Sequence, residues 1–176
     1  LKAAMRRQAL LASAPWQPLF DGTALTNWQD PAGVWAVTDG AATTPGAGTL
    51  VLRKARPGDF ELRLKARPAS PATLLRVVFR ATERNQCYVA AIGGRPPRCR
   101  LLLLGSRAGG QEELARADRL DWQPGRWYDV RVSALGPDLA VEIDGATVGT
   151  ARDTHLEAGA VPTVAPSISC LLYTSP

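Results

Sequence analysis

The sequence predicts an all-β fold, a two-sheet antiparallel β-sandwich, on three observations. Short segments alternate apolar and polar residues with a period of two, Gly, Asp, Asn or Pro fences most of them, and the chain carries 14 prolines, many at the joins. Strict alternation puts every second side chain on one face, the mark of a half-buried antiparallel strand. Many such strands at close spacing, with no long helix, make a sandwich.

The first segment, LFDGTALTNW (19–28), is an apolar pair, a sharp Asp21-Gly22 turn and a polar run ending at Trp28. VWAVTDG (34–40) and GTLVLR (48–53) follow as short strands. DFELRLKAR (59–67) alternates without exception, with Phe60, Leu62, Leu64 and Ala66 against Glu61, Arg63, Lys65 and Arg67. In ATLLRVVFRA (72–81), Leu75, Val77 and Phe79 share a face, and Arg76 and Arg80 interrupt the other. QCYVAAIGG (86–94) and RCRLLLLG (98–105) read as a hairpin around GGRPP. Only QEELARADR (111–119) has helical propensity, and an edge strand or loop fits it as well. RWYDVRVSA (126–134) sets Tyr128, Val130 and Val132 against Trp127, Asp129 and Arg131. LAVEIDGATVGTA (139–151) holds Asp144-Gly145 between two alternations, the strongest short-range hairpin signal.

The chain has 176 residues, enough for one domain with a real core, since domains cluster at roughly 100–150 residues. Its net charge of +5 would permit polyanion binding, but the arginines are scattered singly, so no nucleic-acid partner is expected. No apolar run reaches the roughly 18 residues of a membrane span. Residues 1–15, LKAAMRRQALLASAP, read equally as a signal-peptide remnant, a linker or the end of an upstream domain; the domain proper is expected over 16–165. Cys87, Cys99 and Cys170 match no zinc spacing. A hairpin turn near Gly94 and Arg95 would put Cys99 opposite about Ala90, three residues or about 10 Å from the register of Cys87, so free thiols are expected.

Function in a sandwich sits on an outer face or at the loop rim. Arg63, Arg76, Arg80 and Tyr88 would line such a face if their strands share a sheet. The segments LFDGTALTNW, GVWAVTDG, DFELRLKAR, VVFR, WYDVRV and VEIDGATV together resemble the concanavalin-like jelly-roll domains of the 3-keto-disaccharide hydrolase family, relatives in fold of laminin-G-like domains and family 16 glycosidases, from about Trp16 to Val161. The resemblance implies a jelly roll, a carbohydrate ligand and an extracytoplasmic setting in the periplasm or cell envelope. Within it, Trp35 and Trp127 are expected in the core, and Trp28 and Trp122, beside polar and turn residues, are the better candidates for stacking on a sugar, against an interior or rim-packing role that is the commoner one for each. Two departures stand out. The family carries Asn-Ser-Gly before its apolar-Phe-Arg strand, where this chain has Pro71-Ala72-Thr73-Leu74-Leu75; and in the Tyr-Glu-Val-Gln-Ile strand, Tyr88 is kept while Val89 and Ala91 replace the acid and the amide.

Glycoside hydrolysis needs two facing carboxyl groups, about 5–5.5 Å apart for retention or roughly 6.5–9.5 Å for inversion. Glu142-Ile143-Asp144 matches the start of the Glu-x-Asp-x-x-Glu signature of family 16, but Thr147 replaces the third acid and Asp144 is required by its turn, so the match is a coincidence. Cleavage of a 3-keto sugar by elimination needs one base and an oxyanion stabiliser. Arg76 or Arg80 would stabilise the enolate, His155 is the candidate base with Asp129 and Glu61 as fallback carboxylates, and against this stand the commoner roles of a solvated loop histidine and a solvated arginine face. No phosphate loop or metal motif is present, so no cofactor is expected; a rim calcium on Asp21 or Asp39 is chemically feasible and not required. PTVAPSISCLLYTSP ends the chain without a period. Residues 166–176 are therefore expected to be irregular and, if foreign to the domain, to leave it short of its last strand with neighbouring edges exposed. The alternatives are a sugar-processing enzyme, a laminin-G-like glycan-binding module, and a structural appendage of a longer chain.

Overall fold

Alternation is realised almost segment by segment in the computed structural model, which describes Met5, Ala9 and residues 16–53, 59–82, 84–105, 110–156, 163–165 and 168–175, the last two as backbone. The reading of residues 1–15 lies outside the described residues apart from Met5 and Ala9. Five short strands open the chain: β1 (Gln17–Pro18), β2 (Trp28–Gln29), β3 (Ala36–Thr38), β4 (Ala41–Thr43) and β5 (Leu50–Leu52). Longer ones follow as β6 (Phe60–Pro68), β7 (Leu74–Phe79), β8 (Cys87–Gly93), β9 (Arg98–Leu104) and β10 (Gln111–Ala117). The chain then runs through β11 (Tyr128–Leu135), β12 (Asp138–Ile143), β13 (Ala146–Arg152), β14 (Thr163–Ala165) and β15 (Ile168–Ser175).

These strands make two antiparallel sheets. The first runs β13-β12-β11-β6-β15-β4-β3, with β1 also on β15; the second runs β10-β9-β8-β7-β14-β5-β2. Each long strand turns its apolar set inward. Phe60, Leu62 and Leu64 of β6 and Val130 and Val132 of β11 meet Leu75, Val77 and Phe79 of β7, Tyr88, Ala90 and Ile92 of β8, and Leu101 and Leu103 of β9 in one core. Phe60 and Phe79 pack edge to face, centroids 5.6 Å apart. Burying each such side chain stabilises the fold by about 1.5–3 kcal/mol.

The Asp144-Gly145 hairpin turn forms as expected, and Asp39-Gly40 makes a second one. Asp39 and Gly40 have φ of 51° and 73°, and Asp144 and Gly145 have 49° and 80°, the paired positive values of the tight hairpin turn whose twist suits the strands. QEELARADR resolves as the edge strand β10, with a bulge between Glu113 and Ala115 and three exposed polar residues at its start, both devices that blunt an edge.

Two expectations are corrected. The tail is a strand from Ile168 to Ser175, pairing residue by residue with β6 from Pro68 to Glu61, so the sheet is not short of its closing strand. Backbone pairing along the open side of β6 satisfies amides and carbonyls regardless of side-chain period, which is why periodicity missed it. In the β8–β9 hairpin, Cys99 faces Ile92 and Cys87 faces Leu104, two residues from the expected register. For two of the three cysteines the thiol expectation holds: Cys87 and Cys99 are free, and they lie on opposite faces of the second sheet, while the Cys170 side chain lies outside the described residues.

Candidate functional site

Strand assignment decides which sequence candidates can meet. Arg63, Glu61 and Asp129 belong to the first sheet, whereas Arg76, Arg80 and Tyr88 belong to strands of the second or their ends. The single arginine-lined face expected from sequence therefore does not exist.

Arg80 and Tyr88 do come together, but inside. Alternation would carry Arg80 outward with Arg76; instead β7 stops at Phe79, and Arg80 adopts φ of 50°, which turns its side chain inward until it is 0% exposed. Its Nη1 donates to the carbonyls of Gly136 (2.8 Å) and Leu156 (2.9 Å), and its Nη2 lies 3.5 Å from Asp59. Asp59 in turn accepts from the Gly136 amide at 2.6 Å. Tyr88 stands opposite Phe79 and shares its inward face, which removes it from the outer surface. Its hydroxyl donates to Asp153 and accepts from the Leu156 amide at 3.2 Å. Burial and the Asp153 contact push the Tyr88 hydroxyl far above its ordinary range, so it stays a neutral donor. Burial alone would raise the Asp153 carboxyl, but the hydrogen bonds from Tyr88 and from the His155 amide (2.7 Å) outweigh it and hold the group low. His155 is half exposed, with Nδ1 3.7 Å from Asp153. This is a clamp that fastens the 153–156 loop and the turn at Gly136 to the second sheet.

Trp28 and Trp122 take the interior role that was the alternative to stacking on a sugar: Trp28 Nε1 donates to Leu19 O (2.9 Å), and Trp122 Nε1 donates to Thr73 O (3.2 Å) while its ring lies 4.7 Å from that of Tyr128. A polar tip satisfied by a carbonyl is what lets each ring sit in the core. Trp35 is buried as expected, but Trp127 is 38% exposed. Its place in the alternation, between Arg126 and the inward Tyr128, already set it outward with Asp129 and Arg131; bulk hydrophobicity argued wrongly for the core.

Outside the first sheet, the expected Arg63 and Asp129 share an open cleft of about 540 Å³ with Lys65, Arg131 and Asp144. Lys65 lies 3.0 Å from Asp129, and Arg131 lies 3.7 Å from Glu142. Arg63 lies 2.9 Å from Glu61, which is buried although it faces this way. Asp144 accepts from Arg126 (2.8 Å) and from the Asp129 amide (2.9 Å), so the acid of the apparent glycosidase signature serves its turn. Two indoles border the cleft: the Arg63 guanidinium stacks 3.8 Å from the Trp16 ring, and Arg67 lies 4.9 Å from that of Trp127. Lys65, Arg131, Trp16 and Trp127 were missed from sequence; the first two lay in plain view on the polar side of their alternations.

The second sheet is unlike this. Val89, Ala91 and Leu102 form a small apolar cluster on its outer side, bordered by Leu74, Val78, Cys87 and Leu104. The two positions where the resemblance implies an acid and an amide thus fall on one face, and both are apolar. Arg76 and Arg100 flank Ala91 in register on the neighbouring strands. Strands β7, β8 and β9 contain no carboxylate. Among the described residues no cluster of three or more His, Cys, Asp or Glu side chains is arranged to hold a metal. At the rim, Asp21 accepts from the Thr23 amide and hydroxyl (2.8 Å each) and from the Ala24 amide (3.1 Å), so hydrogen-bond donors face the oxygen a cation would need.

A sequence profile of the family described as a 3-keto-alpha-glucoside-1,2-lyase-like domain matches residues 15–167. The chain belongs to this family. Solved structures share the fold of this lyase-like domain at low identity. The carbohydrate-binding module CBM66 from Bacillus subtilis superposes with a TM-score of 0.66 at 16% identity, covering 84% of this chain and 92% of that one. A putative glycosyl hydrolase from Parabacteroides distasonis gives 0.64 at 12% identity, covering 96% of each chain. The Bacillus licheniformis beta-glucanase gives 0.63 at 11% identity, covering 92% of this chain and 94% of that one. No curated protein matches the chain.

Proposed function

We propose that this domain recognises a carbohydrate on the outer face of its first sheet and does not turn it over. The observation that carries the reading is the state of the acids there: Glu61, Asp129, Glu142 and Asp144 each face a cation, beside an exposed tryptophan. A carboxylate engaged by a cation is a strong acceptor for a sugar hydroxyl, and the oxygen that would take a proton from substrate already faces that partner. The guanidinium and ammonium groups supply matching donors, and the Trp127 ring offers an apolar face to the C–H side of a pyranose. Family membership and the apolar Val89 and Ala91 support the same conclusion, since the resemblance implies polar groups at those positions.

The test is a pair of measurements on one preparation. Tryptophan fluorescence titrated with a 3-keto-glucoside and with the parent glucoside is expected to report saturable binding, and the 3-keto-glucoside is expected to release no aglycone. Release at a rate above the uncatalysed background would overturn the reading. A second reading has one observation in its favour: the His155 ring is solvent-accessible with Nδ1 3.7 Å from the Asp153 carboxylate, an imidazole beside an acid as a general base would be. Aglycone release that disappears in His155→Ala would establish it.

A further inference from the structure

Most arginines on the strands of this sandwich have partners. Of those described on strands, Arg63, Arg98, Arg116, Arg131 and Arg152 lie against carboxylates and Arg67 against an indole. Arg76 and Arg100 are the exceptions: among the described residues neither guanidinium meets an acid, a carbonyl or a ring. They are also the two that face the same residue, since Ala91 of β8 is in register with Arg76 of β7 and with Arg100 of β9.

That placement has chemical content. The two Cα atoms stand two strand spacings apart, about 10 Å, across the small Ala91, a span that two extended arginines close from both sides. Like charges on neighbouring strands repel, and Arg100 also stands opposite Arg116. Arg116 is neutralised by Asp118 and by Glu113 at 3.8 Å; Arg76 and Arg100 are left with their repulsion. Two guanidinium forks flanking an apolar bed can match an oxyanion carried on a ring: reaching inward over Ala91, the forks would take the anion through paired hydrogen bonds, and Val89, Ala91 and Leu102 would take the C–H face. A neutral sugar would leave both forks without an acceptor.

We propose that the outer face of the second sheet is a separate binding site for an anionic sugar, one bearing a carboxylate or a phosphate, gripped by Arg76 and Arg100 across Ala91. It lies on the opposite side of the sandwich from Trp127 and stands independently of the function proposed above.

Calorimetric titrations with glucuronate, glucose 6-phosphate, glucose and inorganic phosphate test it on the full chain. Glucuronate or glucose 6-phosphate should bind, the tighter of the two naming the anion, and glucose should not bind at this face. Arg76→Ala and Arg100→Ala should each weaken that binding at least about tenfold, as expected for loss of a charge-assisted fork, and Arg76→Lys, which keeps the charge without the fork, should weaken it as well. Trp127→Ala should leave it unchanged. Both arginines have exposed or half-exposed side chains without structural partners, so an unchanged melting temperature certifies the variants as folded. The proposal is overturned if neither anionic sugar binds, if either binds equally to wild type and to both alanine variants, or if inorganic phosphate binds as tightly as the sugars.

Discussion

The two outer faces of this sandwich arise from the same alternation and end with opposite electrostatics. On the first sheet, β6, β11 and β12 point Glu61, Arg63, Lys65, Asp129, Arg131 and Glu142 outward; register sets Lys65 against Asp129 and Arg131 against Glu142, and although Arg63 and Arg131 also stand opposite one another, each has an acid beside it. On the second, β7, β8 and β9 point apolar residues and arginines outward and no acids at all. A face that neutralises itself suits a neutral, hydroxyl-rich ligand, because each pair offers donors and acceptors side by side. A face that leaves cations unpaired calls for an anion. Alternation settles which residues face water, and register settles which of them still need a partner.

Arg76 and Arg80 make the same contrast four residues apart, and substituting them separates it most sharply. Arg80 is fully buried with two carbonyls and Asp59 around it, so Arg80→Ala leaves those acceptors unsatisfied and opens a cavity. Loss of a buried charged partner of this kind costs about 3–5 kcal/mol. Urea denaturation should show it as a lowered midpoint, whereas Arg76→Ala should move the midpoint by no more than about 0.5 kcal/mol, the usual range for surface changes. Equal effects of the two substitutions would erase the distinction between clamp and surface.

A smaller effect comes from the acid end of the same clamp. The Asp153 carboxyl is held below its ordinary value in the fold, so it binds its proton less readily there than in the unfolded chain. A depressed folded value contributes stability that is fully present above the unfolded value, about pH 4, and is lost as pH falls through the folded one. Asp153→Asn should therefore flatten the fall in stability on the acid side and leave the slope between pH 6 and 8, roughly two units above any carboxylate, unchanged. An acid limb identical in the two proteins would mean that Tyr88 and His155 do not hold the carboxylate.

How much of this was legible in the sequence follows from what each signal encodes. The two-sheet fold, the Asp144-Gly145 hairpin and the inward set of β6 were readable because alternation and turn chemistry act locally. Arg80 was misplaced because one residue with positive φ breaks the count at the end of β7, and no local pattern announces it. Tyr88 was misplaced because β8 is buried along nearly its whole length, so its alternation is hidden. Trp28 and Trp122 looked exposed beside polar neighbours, but a carbonyl waiting for an indole N–H is a tertiary fact. The face pairing Arg63 with Asp129 and the one pairing Arg76 with Arg100 both depend on sheet membership, which a single chain does not display.

Trp127 tests the sugar side of the comparison at an intermediate size. It is exposed and its contact is the Arg67 guanidinium, so Trp127→Ala should change stability by less than about 1 kcal/mol. Loss of a ring stacked on a sugar should weaken binding at the first face by about 0.5–1.5 kcal/mol or more, roughly twofold to tenfold. Fluorescence titration of the variant, with Trp16 remaining as reporter beside the cleft, measures it. Undiminished affinity would move the sugar away from this face.

The smallest expected effect discriminates best between binding and catalysis. Lys65 and Asp129 form an exposed pair at 3.0 Å, and such pairs contribute about 0–1 kcal/mol, less as salt is raised. Asp129→Asn keeps the shape and an acceptor oxygen while removing the charge, so stability should barely move. If the carboxylate only accepts a hydroxyl, sugar affinity should fall severalfold, and the residual affinity should lose its dependence on salt. If instead Asp129 takes a proton from the substrate, the same substitution would abolish aglycone release while leaving affinity near its starting value. A single conservative change in the cleft therefore gives opposite patterns under the two chemistries, with the fold as a common control.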